Sequence, residues 1–115
     1  MARGKSWKNW EAYVCRLFNG KRRGADYADQ AGGKNDCIGT PGWSIETKFM
    51  ARPTYNLMLA DAQKAADRRS SPNDIPISVM RKKGAGRVMD TTLVSMRLGD
   101  FLEFFGPVGV ENEDW

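Results

Sequence analysis

The 115-residue chain contains no histidine. Imidazole is the one side chain whose ordinary pKa lies near neutrality. Its absence removes Ser-His-Asp and Cys-His nucleophile systems, imidazole general catalysis and His-containing zinc sites. Any enzymatic chemistry must come from carboxylates, amines, hydroxyls and a metal. Cysteine is scarce too: Cys15 and Cys37 have no companions and no zinc-type spacing. Met1–Lys8 carries charge but no apolar segment follows it, so a secretory signal is not expected. Two reduced thiols in a cytoplasmic protein (host cytoplasm, if the source is viral) are therefore expected in place of a disulfide. No apolar run approaches the roughly 18 residues that span a bilayer, and no membrane partner is expected. Internal repeats and low-complexity segments are also lacking.

What is present describes a small folded protein. An apolar fraction of 41% with four tryptophans suits one domain over 1–106, with an acidic tail over 107–115. The net charge of +4 is unevenly laid out. Up to Gly24, Arg3, Lys5, Lys8, Arg16, Lys21, Arg22 and Arg23 face only Glu11. From Gly99 onward Asp100, Glu103, Glu111, Glu113 and Asp114 have no Lys or Arg beside them. A basic start points to an anionic partner on one side of the molecule, although charge scatter also serves solubility alone.

Periodicity gives the order α-β-β-α-β-β-α, a small mixed sheet flanked by helices. Ser6 caps a first helix to about Phe18, with Trp7, Trp10, Val14, Leu17 and Phe18 on its core face. Residues 19–34 read as a Gly-rich, charged loop with room for a short strand. Cys37-Ile38 and Trp43–Phe49 read as a hairpin across Gly39-Thr40-Pro41-Gly42. A second helix is expected over Asn56–Arg69, with Met58, Leu59, Ala62, Ala65 and Ala66 inward. Strands follow at Ile75–Arg81 and around Val88–Met96, then a short aromatic helix over Leu98–Phe105.

The strand Trp43–Phe49 carries the chemistry. Trp43, Ile45, Thr47 and Phe49 fall on one face and Ser44, Glu46 and Lys48 on the other. Glu46 and Lys48 thus stand side by side, and Asp36 is close enough in sequence to sit on a paired strand beside them. Phosphodiester hydrolysis needs charge neutralised on the phosphate, an activated water and a stabilised leaving oxygen. Mg²⁺ supplies much of this when one or two carboxylates hold it and leave water positions open. Asp36 and Glu46 fit that need, with the backbone carbonyl of Thr47 as a further oxygen and Lys48 near water or phosphate. By itself, E-x-K is also an ordinary exposed pair on an edge strand.

Asn35-Asp36 followed by Glu46-Thr47-Lys48 resembles the PD-(D/E)xK nuclease superfamily, with Asn35 in the place of the proline. That resemblance implies a restriction-endonuclease-like core. Within the superfamily the chain is similar to archaeal-type and phage Holliday junction resolvases. Glu11 in Trp10-Glu11-Ala12-Tyr13-Val14 matches their helix glutamate, and Lys21-Arg22-Arg23-Gly24 their basic segment. Gln63 matches a glutamine on the helix after the E-x-K strand, and Ile75–Lys83 their I-P-I-S-V strand with its basic end. The likeness runs from Trp7 to Lys83. It implies catalytic Glu11, Asp36, Glu46, Lys48 and Gln63, and a metal site of Asp36, Glu46, Thr47 and Glu11. The cofactor implied is Mg²⁺, for which Mn²⁺ substitutes, and the partners implied are four-way DNA junctions and a second copy of the chain. Arg22, Arg23, Arg52, Arg81, Lys82 and Lys83 are candidate DNA-backbone contacts, each equally readable as surface charge. Helix 98–105 is a candidate dimer interface.

Two other readings stay open. The same metal site serves flap or mismatch nucleases and nickases. A non-enzymatic basic nucleic-acid-binding domain would need no Mg²⁺ and would tolerate loss of Glu46, with a steep salt dependence.

Overall fold

A computed structural model of the protein describes residues 6–24 and 34–107. The tail expected after residue 106 lies outside them from residue 108 onward. The elements are α1 (Trp7–Leu17), β1 (Lys21–Arg22), β2 (Cys37–Ile38), β3 (Trp43–Met50), α2 (Tyr55–Asp67), β4 (Ile75–Lys82), α3 (Val88–Thr91), β5 (Leu93–Ser95) and α4 (Leu98–Phe105). They form an α/β protein with a mixed three-stranded sheet, β3-β4-β5, beside a two-stranded ribbon, β1-β2. β3 and β4 run parallel with Ile45 opposite Ile77, and β5 joins β4 antiparallel with Val94 opposite Val79.

Pairing departs from the expected β2–β3 hairpin. The Gly39–Gly42 turn does form, with Gly39 and Gly42 at φ 79° and 89° and the Trp43 N–H donating to Thr40 O. β2, however, ladders with β1, Arg22 opposite Cys37. β3 turns one edge to β4, where Ile75 and Lys83 N–H groups donate to the Gly42 and Met50 carbonyls. Its other edge meets the chain before β2, where the Asp36 N–H donates to Ile45 O at 2.8 Å.

The run expected as one strand over Val88–Met96 divides into α3 and the short β5. Arg81 explains the break. Its guanidinium donates to the carbonyls of Ala85 and Gly86 and to Thr91 Oγ1, and the Thr91 hydroxyl donates to Arg87 O at 2.8 Å. Closing that turn costs the segment its extended conformation.

α1 begins as expected. Ser6 Oγ accepts from the Asn9 N–H, and the helix ends at Phe18 before Asn19, which has φ 68°. Gly20 follows, where a Cβ would lie 2.3 Å from Ile38 O, so only glycine lets β1 approach β2. The helix covers the odd-numbered face of β3. Trp10, Val14 and Cys15 pack with Cys37, Ile45, Ile77 and Val79, flanked by Trp43, Phe49 and Met96. Trp7, expected on that core face, is 54% exposed instead. Trp10 and Val14 cover the strand, and the first helical turn lies beyond it.

The two cysteines were expected as free thiols, yet Cys15 and Cys37 form a disulfide. α1 crosses the ribbon with both side chains inside the core and their Cα atoms 5.4 Å apart, a spacing a disulfide spans.

α2 covers the other face of β3 and β4. Its Ala62, Ala65 and Ala66 are buried, and these small residues let it sit close enough for Ser44 Oγ to donate to Ala65 O at 2.6 Å. The face carrying Ser44, Glu46 and Lys48 is therefore helix-covered, as expected of a parallel strand with helices on both sides. Of the residues expected inward, Leu59 is 44% exposed and Met58 half-buried, and Asp61 is buried in their stead.

Candidate active-site cleft

Asp36 is held on both sides. The Arg23 N–H donates to its carbonyl at 2.8 Å, and its own N–H donates to β3. Asn35 braces the turn, its Oδ1 accepting from the Cys37 N–H at 3.1 Å and its carbonyl from Arg23 Nε at 2.6 Å. So fixed, Asp36 Oδ2 accepts from both the N–H (2.7 Å) and the hydroxyl (3.3 Å) of Thr47. Since the Thr47 N–H points to this edge, the alternation of a strand turns its carbonyl to the same edge.

Glu46 and Lys48 leave β3 under α2. Glu46 is buried. Its Oε1 accepts from Arg68 at 3.3 Å, and Oε2 has no hydrogen-bond partner among the described residues. Lys48 Nζ lies 3.7 Å from Asp61 Oδ1. Glu11 comes from α1 and pairs with Arg22 Nε at 2.7 Å.

These carboxylates feel one another. Burial, then the charge of Asp36, pushes the Glu46 carboxyl up to about 8; Arg68 opposes this and Asp61 adds to it. Burial raises Asp36 as well, against the Thr47 hydrogen bonds and the charges of Arg68 and Lys48. Glu11 is raised by burial and by Asp36, with Arg22 acting the other way. Desolvated like charges grouped in this way favour protonation or a bound cation.

Glu11 and Asp36 line an open cleft of about 580 Å³ whose other walls carry Lys8, Arg22, Arg23, Lys34 and Arg68, with Trp7 beside them. Five cations around two carboxylates make a surface for an anion that brings or shares a metal. Among the described residues no three acidic, thiol or imidazole side chains converge as a ready-made cation site. Mg²⁺ does not need three, because it keeps most of its waters and takes one or two carboxylates. The buried, unpartnered Glu46 Oε2 beside Asp36 suits that role.

The structure thus brings together Glu11, Asp36, Glu46, Thr47 and Lys48, while Arg22 and Arg23 line the cleft. Gln63 lies apart on the exposed face of α2, donating to Asp67 Oδ1 at 2.9 Å and accepting from Arg97. Arg52, just past β3, and Lys82, the last residue of β4, are exposed, and Lys83 Nζ sits 5.6 Å from the Phe49 ring centroid. Arg81 is committed to its turn, and Arg23 gives two of its donors to backbone carbonyls.

Two site residues were missed in the sequence, Asp61 and Arg68. For Asp61 the signal was present: it shares the buried face of α2 with Ala62, Ala65 and Ala66 at helical spacing, where an Asp has no apolar reason to be, whereas Arg68 is the exposed C-cap and gave none.

Compared with known proteins, the chain matches no family model, no curated protein and no solved structure. No helix among the described residues is long and apolar enough to cross a membrane.

Proposed function

We propose that this cleft is the active site of a Mg²⁺-dependent DNA endonuclease of restriction-endonuclease-like fold, acting on four-way junctions as a homodimer. The observation that carries the proposal is the bond from Thr47 to Asp36. It sets Asp36, which lines the cationic cleft, beside the Glu46-Thr47-Lys48 strand.

In this reading Asp36 and Glu46, with the Thr47 carbonyl, would hold Mg²⁺, and Glu11 lines the same cleft as Asp36. When bound, Mg²⁺ neutralises charge developing on the phosphate and lowers the pKa of a water. Lys48, held by Asp61, orients the attacking water or steadies the phosphate. Lys8, Arg22, Lys34 and Arg68 take neighbouring phosphates and fix the strand without reading its sequence. As DNA enters, Arg22 and Arg68 would exchange Glu11 and Glu46 for phosphate, leaving those carboxylates free to hold Mg²⁺. A two-fold dimer presents two such clefts to two symmetric strands. The exposed Leu98, Phe101 and Phe105 of α4 offer it an apolar face. A nuclease cutting flaps would use the same residues.

The Arg22–Glu11 and Arg68–Glu46 pairs also suit a second reading, a non-catalytic DNA-binding domain whose carboxylates serve structure. One experiment separates the readings. Labelled junction, flap and duplex DNA are incubated with Mg²⁺, with Mn²⁺ and with EDTA, beside Glu46→Gln. Paired symmetric nicks on the junction alone, lost in EDTA and in the variant, support the resolvase. Cutting that favours flaps moves the substrate, and binding without cutting leaves the second reading standing.

A further inference from the structure

Trp7 stands on the rim of the cleft, 54% exposed, whereas Trp10 on the same helix is buried. It lies about one helical turn before Glu11, on the same side of α1, about 6 Å along the axis. Among the described residues Arg22 Cζ lies 5.4 Å from its ring centroid and Lys8 Nζ 5.7 Å. Arg22 is also the donor to Glu11, so indole, guanidinium and carboxylate form one connected row along the cleft.

We propose that Trp7 is a nucleobase-stacking subsite. It takes an unpaired base beside the phosphate that is cut, so the cleft selects a strand that is single or unstacked at that point. The inference rests on the nuclease reading above and adds to it which state of the strand is accepted. A base inside a duplex has neighbours on both faces and none free for an indole. An unpaired base has a free face, and aromatic side chains bind it whatever its identity. The spacing fits: a phosphate at Glu11 and Asp36 leaves its own base, or the next, within reach of a ring one turn away. Lys8, exposed on a flexible stem, moves from the ring to a flanking phosphate when the base arrives. Arg22 keeps its charge between the ring and the backbone. Branch points, flaps and single strands all offer such a base, whereas continuous duplex does not.

The test is binding without cutting, with Ca²⁺ in place of Mg²⁺. The probes are a labelled oligothymidylate of roughly 12 residues, the same strand made abasic, and a duplex of equal length. Wild type, Trp7→Phe and Trp7→Ala are compared by anisotropy at several salt concentrations. The expected result is a roughly 5- to 100-fold loss of oligothymidylate affinity in Trp7→Ala, largely rescued by Trp7→Phe. The salt slope should stay the same, because no phosphate contact is lost. Wild type should bind the abasic strand as weakly as Trp7→Ala does. If Trp7→Ala binds oligothymidylate like wild type, or abasic and intact strands bind wild type alike, the subsite is wrong and the nuclease reading survives. If no form binds any of the three DNAs, the nuclease reading fails and the subsite with it.

Discussion

Asp36 Oδ2 accepts the backbone N–H of Thr47, the residue flanked by Glu46 and Lys48, at 2.7 Å. One hydrogen bond therefore fixes a loop carboxylate against the edge of β3. Because the donor is backbone, the register survives changes of side chain on either side. Asp36→Asn keeps an acceptor for Thr47 while removing the charge. The variant should fold with unchanged circular dichroism and melt no lower than wild type, since it removes one of several crowded, buried carboxylates. Cleavage of junction DNA should fall by about two orders of magnitude or more. Retained cleavage would take Asp36 out of the metal site.

Glu46 predicts how the metal-free protein responds to pH. Its carboxyl is raised from an ordinary 4.5 to about 8, so the folded chain keeps a proton that the unfolded chain has lost. The contribution to stability is then fully present below about 4.5 and is lost as pH rises toward 8, by a few kcal/mol. Urea melts of the EDTA-treated protein should show stability falling from pH 5 to pH 9. Glu46→Gln should flatten that fall. Added Mg²⁺ should displace the same proton, so its apparent affinity should climb over this range.

How much of this was legible in the sequence differs by element. The α1 stripe of Trp10 and Val14, the Ser6 cap and the alternation of β3 all came from local periodicity, which the sequence holds outright. The partner of β2 did not. The Gly-rich turn predicts a reversal, but β1 and β4 compete for the strand edges from outside that window. The burial of Glu46 was hidden for a similar reason, because alternation marks two faces and cannot say that a helix covers the polar one. Trp7 shares its helical stripe with Trp10, and only the extent of β3 decides which is core. Gln63 failed to join the site because α2 is rotated so that Asp61 faces inward and Gln63 outward.

Lys48 lies 3.7 Å from Asp61 Oδ1, and Asp61 Oδ2 is buried without a hydrogen-bond partner among the described residues. Lys48→Ala should cost about two orders of magnitude in cleavage rate. Asp61→Asn should act through Lys48, lowering kcat by about tenfold with the KM for DNA unchanged. Since the Asp61 charge raises Glu46, Asp61→Asn should also move the pH-dependent loss of stability to lower pH. A kcat profile that ignores Asp61 would make it a structural carboxylate only.

The apolar surface of α4 predicts the assembly. Leu98, Phe101 and Phe105 are exposed to 71%, 46% and 55%. A stable dimer buries roughly 800 Å² on each partner, and aromatic side chains such as Phe are enriched in its buried centre. Leu98→Glu with Phe105→Glu should turn a dimer into a folded monomer in sedimentation, with paired nicking of junctions replaced by single nicks. A monomeric wild type would remove the two-fold arrangement.

The Cys15–Cys37 bond predicts a redox-dependent stability. It closes a loop of 22 residues, which in the chain-entropy account stabilises by about 3 kcal/mol. Its position matters as much as its size. Cys15 is one turn after Glu11 on α1, and Cys37 follows Asp36 directly, so the bond ties together the two segments that supply the cleft's carboxylates. Urea melts with and without reductant should differ by about that amount. Cys15→Ala with Cys37→Ala should match the reduced protein and be blind to reductant. Reduction should also slow cleavage more than it weakens DNA binding, because the carboxylates lose their fixed spacing while the cleft keeps its cations. Identical melts under both conditions would mean that the two sulfurs rest in the core as thiols, as the composition alone had indicated.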